Sequence, residues 1–351
     1  MRKKLLLSYH SSLIKCHFLY NDFMKAVYVR EFGGVENLEI REVENPPSPP
    51  ETEVLVNVKA SALNRADLLQ RRGLYPAPKG FPERILGLEF AGEVLETGEN
   101  VSDFKTGDRV FGITAGGAQA EFLLTGASLL ARIPENLSFA EAAAVPEAFI
   151  TAHDAVFTLG ELKMDETLLI HAVGSGVGLA ALQLAKARNI KTIGTSRTSG
   201  KLEKCGKFGL DEAIPAASET NFAQIIREKN QGKGVDVILD LVGAKYFQAN
   251  LESLNLKGRL ILVGTTGGAK AELNYGLVMS KRIKIVGTVL RPRPTTEKAE
   301  ATRKFAEEVV PLLANGRIKP NVDKVFKIEQ IREAHEYLES NASFGKVVLE
   351  F

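Results

Sequence analysis

The chain has 351 residues, of which 45 are basic and 43 acidic, and its formal net charge is +2. So small a net charge argues against a dedicated nucleic-acid-binding protein, and 44% hydrophobic with 25% charged residues is typical of a soluble globular protein. No apolar run approaches the roughly 18 to 20 residues that span a bilayer, and the length predicts two domains.

Residues 1–23 differ from the chain that follows them. Their basic start and three leucines resemble a secretory signal, but Ser8, His10 and Lys15 interrupt the apolar region and no small-residue cleavage pattern follows. We therefore expect residues 1–23 to be a tail or an upstream extension, and the folded protein to begin at Met24.

The two cysteines are Cys16 and Cys205. Because Cys16 lies in the predicted tail, the folded part holds a single thiol, which can form neither an intrachain disulfide nor a four-cysteine zinc site. A reducing, cytoplasmic location is the corresponding expectation.

Residues 24–130 have the composition of a β domain. Short apolar and β-branched runs alternate with turns that contain glycine or proline, and the four prolines of segment 46–50 forbid a helix there. The predicted strands are residues 25–30, 38–43, 54–60, 90–97, 108–112 and 118–124. This pattern predicts a partly open β-barrel.

Helical periodicity replaces the β pattern over residues 139–159, with an interruption at Pro146. From Thr167 onward strands and helices alternate, which predicts an α/β fold with a doubly wound parallel sheet of the Rossmann type. Strands are predicted at residues 167–170, 191–195, 235–241, 259–263, 283–289 and 346–351. Helices are predicted at residues 201–208, 221–229, 246–254, 296–314 and 330–340.

The most informative stretch is the strand at residues 167–170 and the turn Val-Gly-Ser-Gly-Val-Gly at residues 173–178. A glycine turn between a strand and a helix exposes backbone N–H groups at the positive end of the helix, which suits a pyrophosphate. The match to G-x-G-x-x-G is imperfect, and a glycine-rich turn in another kind of α/β protein is the alternative. The turn residues predicted to bind a dinucleotide are Ser175, Gly176, Val177 and Gly178.

Several motifs, in the same order and spacing, resemble the medium-chain dehydrogenase/reductase superfamily. They are Met24-Lys-Ala-Val, Ala60-Ser-Ala-Leu-Asn-Arg-Ala-Asp, Leu86-Gly-Leu-Glu-Phe-Ala-Gly, Gly107-Asp-Arg-Val-Phe, Thr151-Ala, His171 through Gly178 and Gly345-Lys-Val-Val-Leu. Within the superfamily the chain is similar to the zinc-free quinone oxidoreductases related to zeta-crystallin. Residues 63–76 resemble the tumour-suppressor-inducible NADPH quinone oxidoreductases.

The resemblance covers residues 24–351 and implies two domains. A GroES-like catalytic domain would comprise residues 24–146 and 291–351, and a Rossmann NADPH-binding domain would comprise residues 147–290. Because relatives pair edge strands across a twofold axis, the edge-like strand at residues 282–289 predicts a homodimer. The further cofactor contacts that the resemblance implies are Thr151, Thr195, Val242 and Gly264.

The zinc-dependent relatives differ from this chain at their metal ligands. They place a cysteine where this chain has Asn64 and a histidine where it has Leu88, while Glu147 lies near a third ligand position. Leu88 cannot bind a metal and one carboxylate makes no zinc site, so we predict a zinc-free enzyme. Without a Lewis acid to stabilise an alkoxide, the hydride acceptor must spread its own negative charge, as a quinone or a conjugated enone does.

Asn64 and Tyr75 are the predicted catalytic residues. Both could donate hydrogen bonds to a developing oxyanion, and the resemblance implies that the residues at these positions lie beside the nicotinamide. Asn64 could instead be only the N-cap of a helix that starts at residue 65. Tyr75 could instead be a turn residue packed between its neighbours.

Four other titratable residues have simpler explanations. His171 ends the strand before the cofactor turn, and His153 lies inside a helix, so we expect both to be packing residues. Asp67 and Glu89 are expected to be ion-paired scaffold groups. The sequence identifies no proton donor, and solvent could serve as one.

Residues 193–201, after the second Rossmann strand, predict NADPH rather than NADH. Enzymes that bind NADH usually carry an acidic residue in this region for the ribose 2′-hydroxyl, and this stretch has none. Arg197 and Lys201 could bind a 2′-phosphate, and Ser196 could donate a hydrogen bond to it. A solvated loop whose basic side chains contact only water is the alternative.

These observations predict an NADPH-dependent reductase of quinones or related conjugated carbonyls, acting in a cleft between two domains. An enoyl or enone carbon–carbon double-bond reductase is the alternative enzyme. A non-catalytic role, as a crystallin-like bulk protein or an RNA-binding module, is the alternative of another class, and the near-neutral charge disfavours RNA.

Overall fold

The computed structural model describes residues 22–216 and 222–351. Its strands are β1 (Phe23–Val29), β2 (Leu38–Glu44), β3 (Glu53–Leu63), β4 (Glu89–Thr97), β5 (Arg109–Ile113), β6 (Phe122–Gly126), β7 (Leu130–Arg132), β8 (Thr167–Ile170), β9 (Lys191–Ser196), β10 (Glu212–Pro215), β11 (Val235–Asp240), β12 (Leu254–Leu262), β13 (Lys284–Gly287), β14 (Val322–Lys327) and β15 (Lys346–Glu350). Its helices are α1 (Arg65–Arg71), α2 (Phe139–Ala143), α3 (Pro146–His153), α4 (Gly176–Ala187), α5 (Ser199–Gly206), α6 (Phe222–Lys229), α7 (Phe247–Ser253), α8 (Tyr275–Lys281), α9 (Thr295–Glu308), α10 (Val310–Ala314) and α11 (Ile331–Glu339).

A six-stranded parallel sheet confirms the predicted Rossmann fold. Its order is β10-β9-β8-β11-β12-β13, so the direction of winding reverses between β8 and β11. All four residues of β8 are buried, as expected of a strand covered on both faces by helices. Ligands of doubly wound sheets bind outside the carboxyl ends of the strands at such a reversal, which fixes where the site must lie.

A second, mainly antiparallel sheet forms the GroES-like barrel domain. Its order is β14-β15-β3-β4-β5-β7, with β6 also paired to β3, and the hairpin β1–β2 lies beside it. β14 and β15 come from the part of the chain after the Rossmann unit, so the chain returns to its first domain. The alternating exposure of β3 reflects one face in the barrel core and one face outside.

Several predicted boundaries shift in the structure. β1 starts at Phe23, one residue inside the predicted tail, and the strand predicted at residues 118–124 starts only at Phe122. The helix predicted over residues 296–314 divides at Val309, because Pro311 cannot continue the hydrogen-bond ladder and lies instead in the first turn of α10. Residues 1–21, in the predicted tail, and residue 221, predicted to start a helix, lie outside the described residues.

The two domains are hydrogen-bonded to each other at the glycine turn. Ser175 and Gly345 form a parallel bridge, and the backbone N–H of Gly345 donates to the carbonyl of Gly174 over 3.0 Å. Gly345 has φ +92, and a Cβ there would lie 2.3 Å from the carbonyl oxygen of Asn321, so only glycine fits. Among the described residues no helix is long and apolar enough to cross a bilayer.

Candidate active site

The glycine turn presents free backbone donors at the end of β8. Ser175 is the N-cap of α4, and its Oγ accepts a hydrogen bond from the N–H of Gly178 at 3.1 Å. Within the described residues the N–H groups of Gly176 and Val177 have no acceptor. Two free donors at the positive end of a twelve-residue helix make a site for a diphosphate.

The turn is shaped by close backbone approaches. A Cβ on Gly178 would lie 2.6 Å from the carbonyl oxygen of Ala172, and one on Gly176 would lie 2.5 Å from Cδ of Lys346. Ala172 itself has φ 49, a conformation that costs a non-glycine residue roughly 1 kcal/mol. Such strain is kept where the surrounding structure enforces it, often at a binding site.

Arg197 and Lys201, the two cations predicted to meet a 2′-phosphate, lie near each other after β9. Burial and then the charges of Arg65 and Arg197 lower the pKa of the Lys201 ammonium. Arg197 is exposed. Lys201 is not free: its Nζ donates to the carbonyl oxygens of Asn341 at 2.6 Å and Ser343 at 2.7 Å. Two carbonyls from the other domain thus take two of the three donors of this ammonium, and the contact of Lys201 with a 2′-phosphate stays a prediction. Ser196 is buried, and its Oγ accepts from the N–H of Thr198 at 3.3 Å.

Sequence analysis missed a third cation near this position. Arg65, the first residue of α1, donates from Nη2 to Oδ1 of Asn341 at 2.5 Å. Partial burial and the neighbouring charge of Arg197 lower the pKa of its guanidinium, so the two arginines lie near each other. They come from different domains, and no local pattern in the sequence connects them.

His171 and Thr195 are tied to each other beneath the turn. His171 is fully buried, its Nδ1 lies 2.8 Å from Oγ1 of Thr195, and its Nε2 lies 2.6 Å from Oδ1 of Asn250. Burial lowers the pKa of the imidazole, so it is neutral at pH 7. His171 is a packing residue, as predicted, and the hydroxyl of Thr195 is committed to it.

The buried side chain of Asp240 shapes the loop that carries Val242 at the end of β11. Its Oδ1 accepts from the N–H of Val242 at 2.8 Å and of Gly243 at 2.9 Å. Its backbone carbonyl accepts from the N–H of Gly264 at 3.2 Å. Val242 and Gly264 are thus held on the adjacent loops that follow β11 and β12, while Thr151 lies partly exposed on α3. Asp240 was not singled out from the sequence, because a lone acidic strand end carries no specific signal.

Asn64 lies in a buried polar network. Its Oδ1 accepts from Nζ of Lys346 at 2.6 Å, and its Nδ2 donates to Oε1 of Glu89 at 2.8 Å. Lys346 also forms an ion pair with Glu89 at 2.6 Å, and both side chains are almost fully buried. Since both ends of its amide are occupied, Asn64 orients its neighbours here and presents no free donor. It also precedes α1, as the alternative interpretation expected.

Tyr75 has a free hydroxyl. Within the described residues no group bonds to it, and the side chain is half-buried. Burial raises the pKa of the phenol, so the hydroxyl keeps its proton. Arg291 lies 4.9 Å from the ring centroid and donates from Nη1 to the backbone carbonyl of Tyr75 at 3.1 Å. Arg291 is fixed in turn by Gln70 at 2.7 Å and by the carbonyl of Ala115 at 2.7 Å.

The two carboxylates predicted to be scaffold groups are saturated with donors. Asp67 accepts from the N–H of Asn64 at 2.7 Å and of Gly87 at 3.0 Å, and burial still raises its pKa to about 6. Glu89 accepts from the N–H of Glu147 at 2.9 Å besides its bonds to Asn64 and Lys346. Leu88 is buried. Among the described residues no three His, Cys, Asp or Glu side chains are grouped to hold a metal.

His153 lies away from this cluster. Its Nε2 is 3.2 Å from Oε2 of Glu308, and its ring is 5.5 Å from that of Phe157. Burial lowers the pKa of the imidazole despite the carboxylate. This residue is a packing residue, as predicted.

Comparisons with known proteins agree with this geometry. Residues 50–155 match the alcohol dehydrogenase GroES-like domain, and residues 176–307 match the zinc-binding dehydrogenase family. A quinone oxidoreductase of Rattus norvegicus is 32% identical over 93% of this chain and 97% of its own. The structure of Escherichia coli quinone oxidoreductase complexed with NADPH superposes with a TM-score of 0.82, at 33% identity over 94% of this chain and 99% of that one. The JamJ enoyl reductase superposes equally well, with a TM-score of 0.82 at 28% identity over 93% and 99% of the two chains.

Proposed function

The chain belongs to the medium-chain dehydrogenase/reductase superfamily and is an oxidoreductase with a nicotinamide cofactor, and from this premise we propose that it uses NADPH to reduce quinones. The observation that carries the proposal is the hydroxyl of Tyr75, which is protonated and has no partner among the described residues. It lies beside a polar network in which Lys346 is already bonded to Asn64 and Glu89. The site thus offers a neutral hydrogen-bond donor and no set of metal ligands among the described residues.

The residues present fit a dinucleotide. The free N–H groups of Gly176 and Val177 would bind its diphosphate, and the loops at Val242 and Gly264 would line its nicotinamide half. Side chains at Gly176 or Gly178 would collide with their neighbours. When bound, the cofactor supplies a hydride, and the protein's task is to hold the acceptor next to it.

The nature of the acceptor follows from what the side chains can stabilise. One neutral phenol hydroxyl contributes a hydrogen bond of about 0.5 to 1.5 kcal/mol to a developing oxyanion, far less than a Lewis acid would supply. A simple ketone would therefore be a poor acceptor. A quinone delocalises its charge over the ring, so the hydrogen bond from Tyr75 suffices.

Arg197 supports NADPH over NADH. It is exposed after β9, Arg65 lies near it, and residues 193–201 contain no acidic side chain that would bind a ribose 2′-hydroxyl. The Escherichia coli relative was crystallised with NADPH.

Steady-state assays test the proposal directly. The purified full chain would be given NADPH or NADH with p-benzoquinone, with cyclohexenone and with a simple ketone, and the products identified. We expect quinone reduction with NADPH and none of the ketone. Turnover of cyclohexenone with no turnover of quinone would replace the proposal by the enone reductase, which the similarity to JamJ enoyl reductase favours.

We also propose that the protein is a homodimer through the β13 edge. Tyr275 is 72% exposed, Met279 71% and Val289 50%, and these apolar side chains lie on α8 and next to the edge strand β13. An edge strand next to exposed apolar side chains can pair with the same strand of a second copy of the chain. Light scattering at micromolar concentration should give twice the chain mass, and a monomer mass would reject the dimer.

A further inference from the structure

In the part of the chain that the structure describes, Glu147 is the carboxyl of the polar network whose oxygens have no bonding partner. It lies in the first turn of α3, where its backbone N–H donates to Oε2 of Glu89 at 2.9 Å. Within the described residues its own carboxyl oxygens accept and donate no hydrogen bond, although the side chain is only partly exposed. By contrast, Glu89 and Asp67 each accept two or three bonds.

Charged and titratable groups face Glu147 from each element around it. They are Glu89 on β4, Asp67 on α1, Lys346 on β15, Arg291 after β13, Lys298 on α9 and Tyr75 after α1. Lys346 is already paired with Glu89 and Arg291 is already bonded to Gln70 and Ala115. Burial first, and the charge of Glu89 second, raise the pKa of Glu147 to about 8. Its carboxyl therefore carries a proton at neutral pH.

A proton donor near pH 7 is what the proposed reduction requires. Hydride addition leaves the acceptor with a negative charge. A proton must then bond to the charged atom to complete the product. Tyr75 is poorly suited to lose its proton, because burial raises the pKa of the phenol. Donors work best when their pKa lies near the working pH, and both Asp67 and Glu147 meet that condition. Asp67 is fully buried and already accepts two N–H bonds, whereas the carboxyl of Glu147 is partly exposed and unbonded among the described residues.

We propose that Glu147 is the general acid of the reaction. This inference rests on the proposed reductase function. The acceptor gains a hydride at one atom and is reduced, while the nicotinamide is oxidised. The O–H bond of the Glu147 carboxyl breaks, its proton forms a new bond at the charged atom of the reduced acceptor, directly or through one water, and the carboxylate left behind takes a proton from solvent. Tyr75 keeps its proton and holds the same atom by a hydrogen bond.

Glu147→Gln and Glu147→Asp test the assignment on the full-length protein. The rate would be followed from pH 6 to pH 10 with NADPH and p-benzoquinone, and NADPH binding by fluorescence titration. We expect Glu147→Gln to lower kcat by about 10- to 100-fold, because the contribution of a general acid is lost. The wild-type kcat should fall above about pH 8 as the carboxyl loses its proton, and this fall should be absent in Glu147→Gln. Binding of NADPH should not change, and Glu147→Asp should restore part of the rate and a pH-dependent limb.

The outcomes separate the two proposals. If the wild type reduces neither quinone nor enone, the proposed function fails. If the wild type is active and Glu147→Gln matches it in rate and pH profile, Glu147 is not the acid. Glu135→Gln, a change at an exposed glutamate, is the matched control and should behave as wild type. Should Glu147→Gln fail to fold, the Glu147→Asp profile decides, because an acid with a different pKa must shift the alkaline limb.

Discussion

The proposed cofactor site and the proposed acceptor site, here called the cofactor end and the acceptor end, are built in opposite ways. At the cofactor end, the strand β8, the glycine turn and α4 are consecutive in the chain, and backbone N–H groups would do the binding. At the acceptor end, the side chains of Asn64, Glu89 and Lys346 bond to one another although up to 282 residues separate them. A backbone site is encoded in one short segment, whereas a side-chain site exists only once the domains have assembled.

Replacing Lys346 by Met should have the largest effect on the free energy of unfolding, because Lys346 is bonded to both Asn64 and Glu89 at the acceptor end. The change would leave Glu89 buried without its cation, and removing one partner of a buried ion pair costs about 3 to 5 kcal/mol. Urea unfolding monitored by circular dichroism would measure it. The exposed pair of Lys229 and Glu212 provides the control, since Lys229→Met should cost at most about 1 kcal/mol. Equal losses in the two variants would mean that the buried network does not hold the domain together.

Glu147→Gln should change how the stability of the acceptor end depends on pH. The pKa of this carboxyl is raised from 4.5 to about 8 in the folded protein. Below pH 4.5 both the folded and the unfolded protein hold the proton. Between pH 4.5 and 8 only the folded protein holds it, so the free energy of unfolding of the wild type falls as pH rises and stays constant above pH 8. The amide removes this loss, which we expect to be on the order of 2 kcal/mol at pH 8 after allowing for partial exposure. Melting temperatures would be measured from pH 5 to pH 9 for the wild type and for Glu147→Gln. The same dependence on pH in both proteins would contradict this prediction.

Gly178→Ala should damage the cofactor end while sparing the acceptor end. The added Cβ would approach the carbonyl oxygen of Ala172 to 2.6 Å, so the turn must shift and its free N–H groups move. We expect NADPH binding to weaken by about 10- to 100-fold, or roughly 1.4 to 2.8 kcal/mol. Gly206→Ala, at the end of α5, is the matched control, because nothing lies within 4 Å of a Cβ there. Isothermal titration would show the difference, and similar affinities in the two variants would remove the turn from the binding site.

Arg197→Ala should affect NADPH affinity, whereas Lys201→Ala should affect stability, and this difference distinguishes the roles of the two cations at the cofactor end. Loss of Arg197 should weaken NADPH by about 10-fold and leave NADH almost unchanged, since a charge-assisted hydrogen bond contributes about 1.5 to 3 kcal/mol, less where solvent reaches it. Lys201→Ala should instead lower the melting temperature, because its ammonium holds the backbone of Asn341 and Ser343. A loss of NADPH preference with Lys201→Ala alone would reverse these assignments.

Tyr75→Phe should have the smallest effect, about 2- to 10-fold on kcat, because one neutral hydrogen bond to the oxyanion is lost. NADPH affinity should not change, since no part of this side chain belongs to the glycine turn. An unchanged kcat with quinone would return Tyr75 to the turn-packing alternative.

The sequence allowed the local structure of the cofactor end to be predicted closely, while its contacts with a cofactor stay predictions. β8 has the predicted bounds, and Ser175 caps α4 within the predicted turn. These features are local, because strand burial, glycine spacing and a serine N-cap are all visible in twenty consecutive residues.

The acceptor end could be predicted only in part. The catalytic roles of Tyr75 and Asn64, to which the family resemblance contributed, stay predictions. The ion pair of Lys346 with Glu89 was not predicted, because it depends on strands that are distant in sequence. The strand β14 was missed because Phe326 is its one fully buried residue, so its hydrophobic alternation is weak. The two hydrogen bonds of Lys201 were not predicted, because its acceptors are backbone carbonyls of the other domain, which no side-chain pattern reveals.

The bond from Gly345 to Gly174 has a consequence for the order of folding. The two residues are 345 − 174 = 171 positions apart, and contacts of such separation form late because the intervening chain must first lose its freedom. The parallel sheet can assemble beforehand from neighbouring strands. A folding intermediate would then possess an ordered nucleotide turn that is still detached from the barrel. Cofactor added during refolding should therefore bind such an intermediate weakly and reach full affinity only in the slowest kinetic phase.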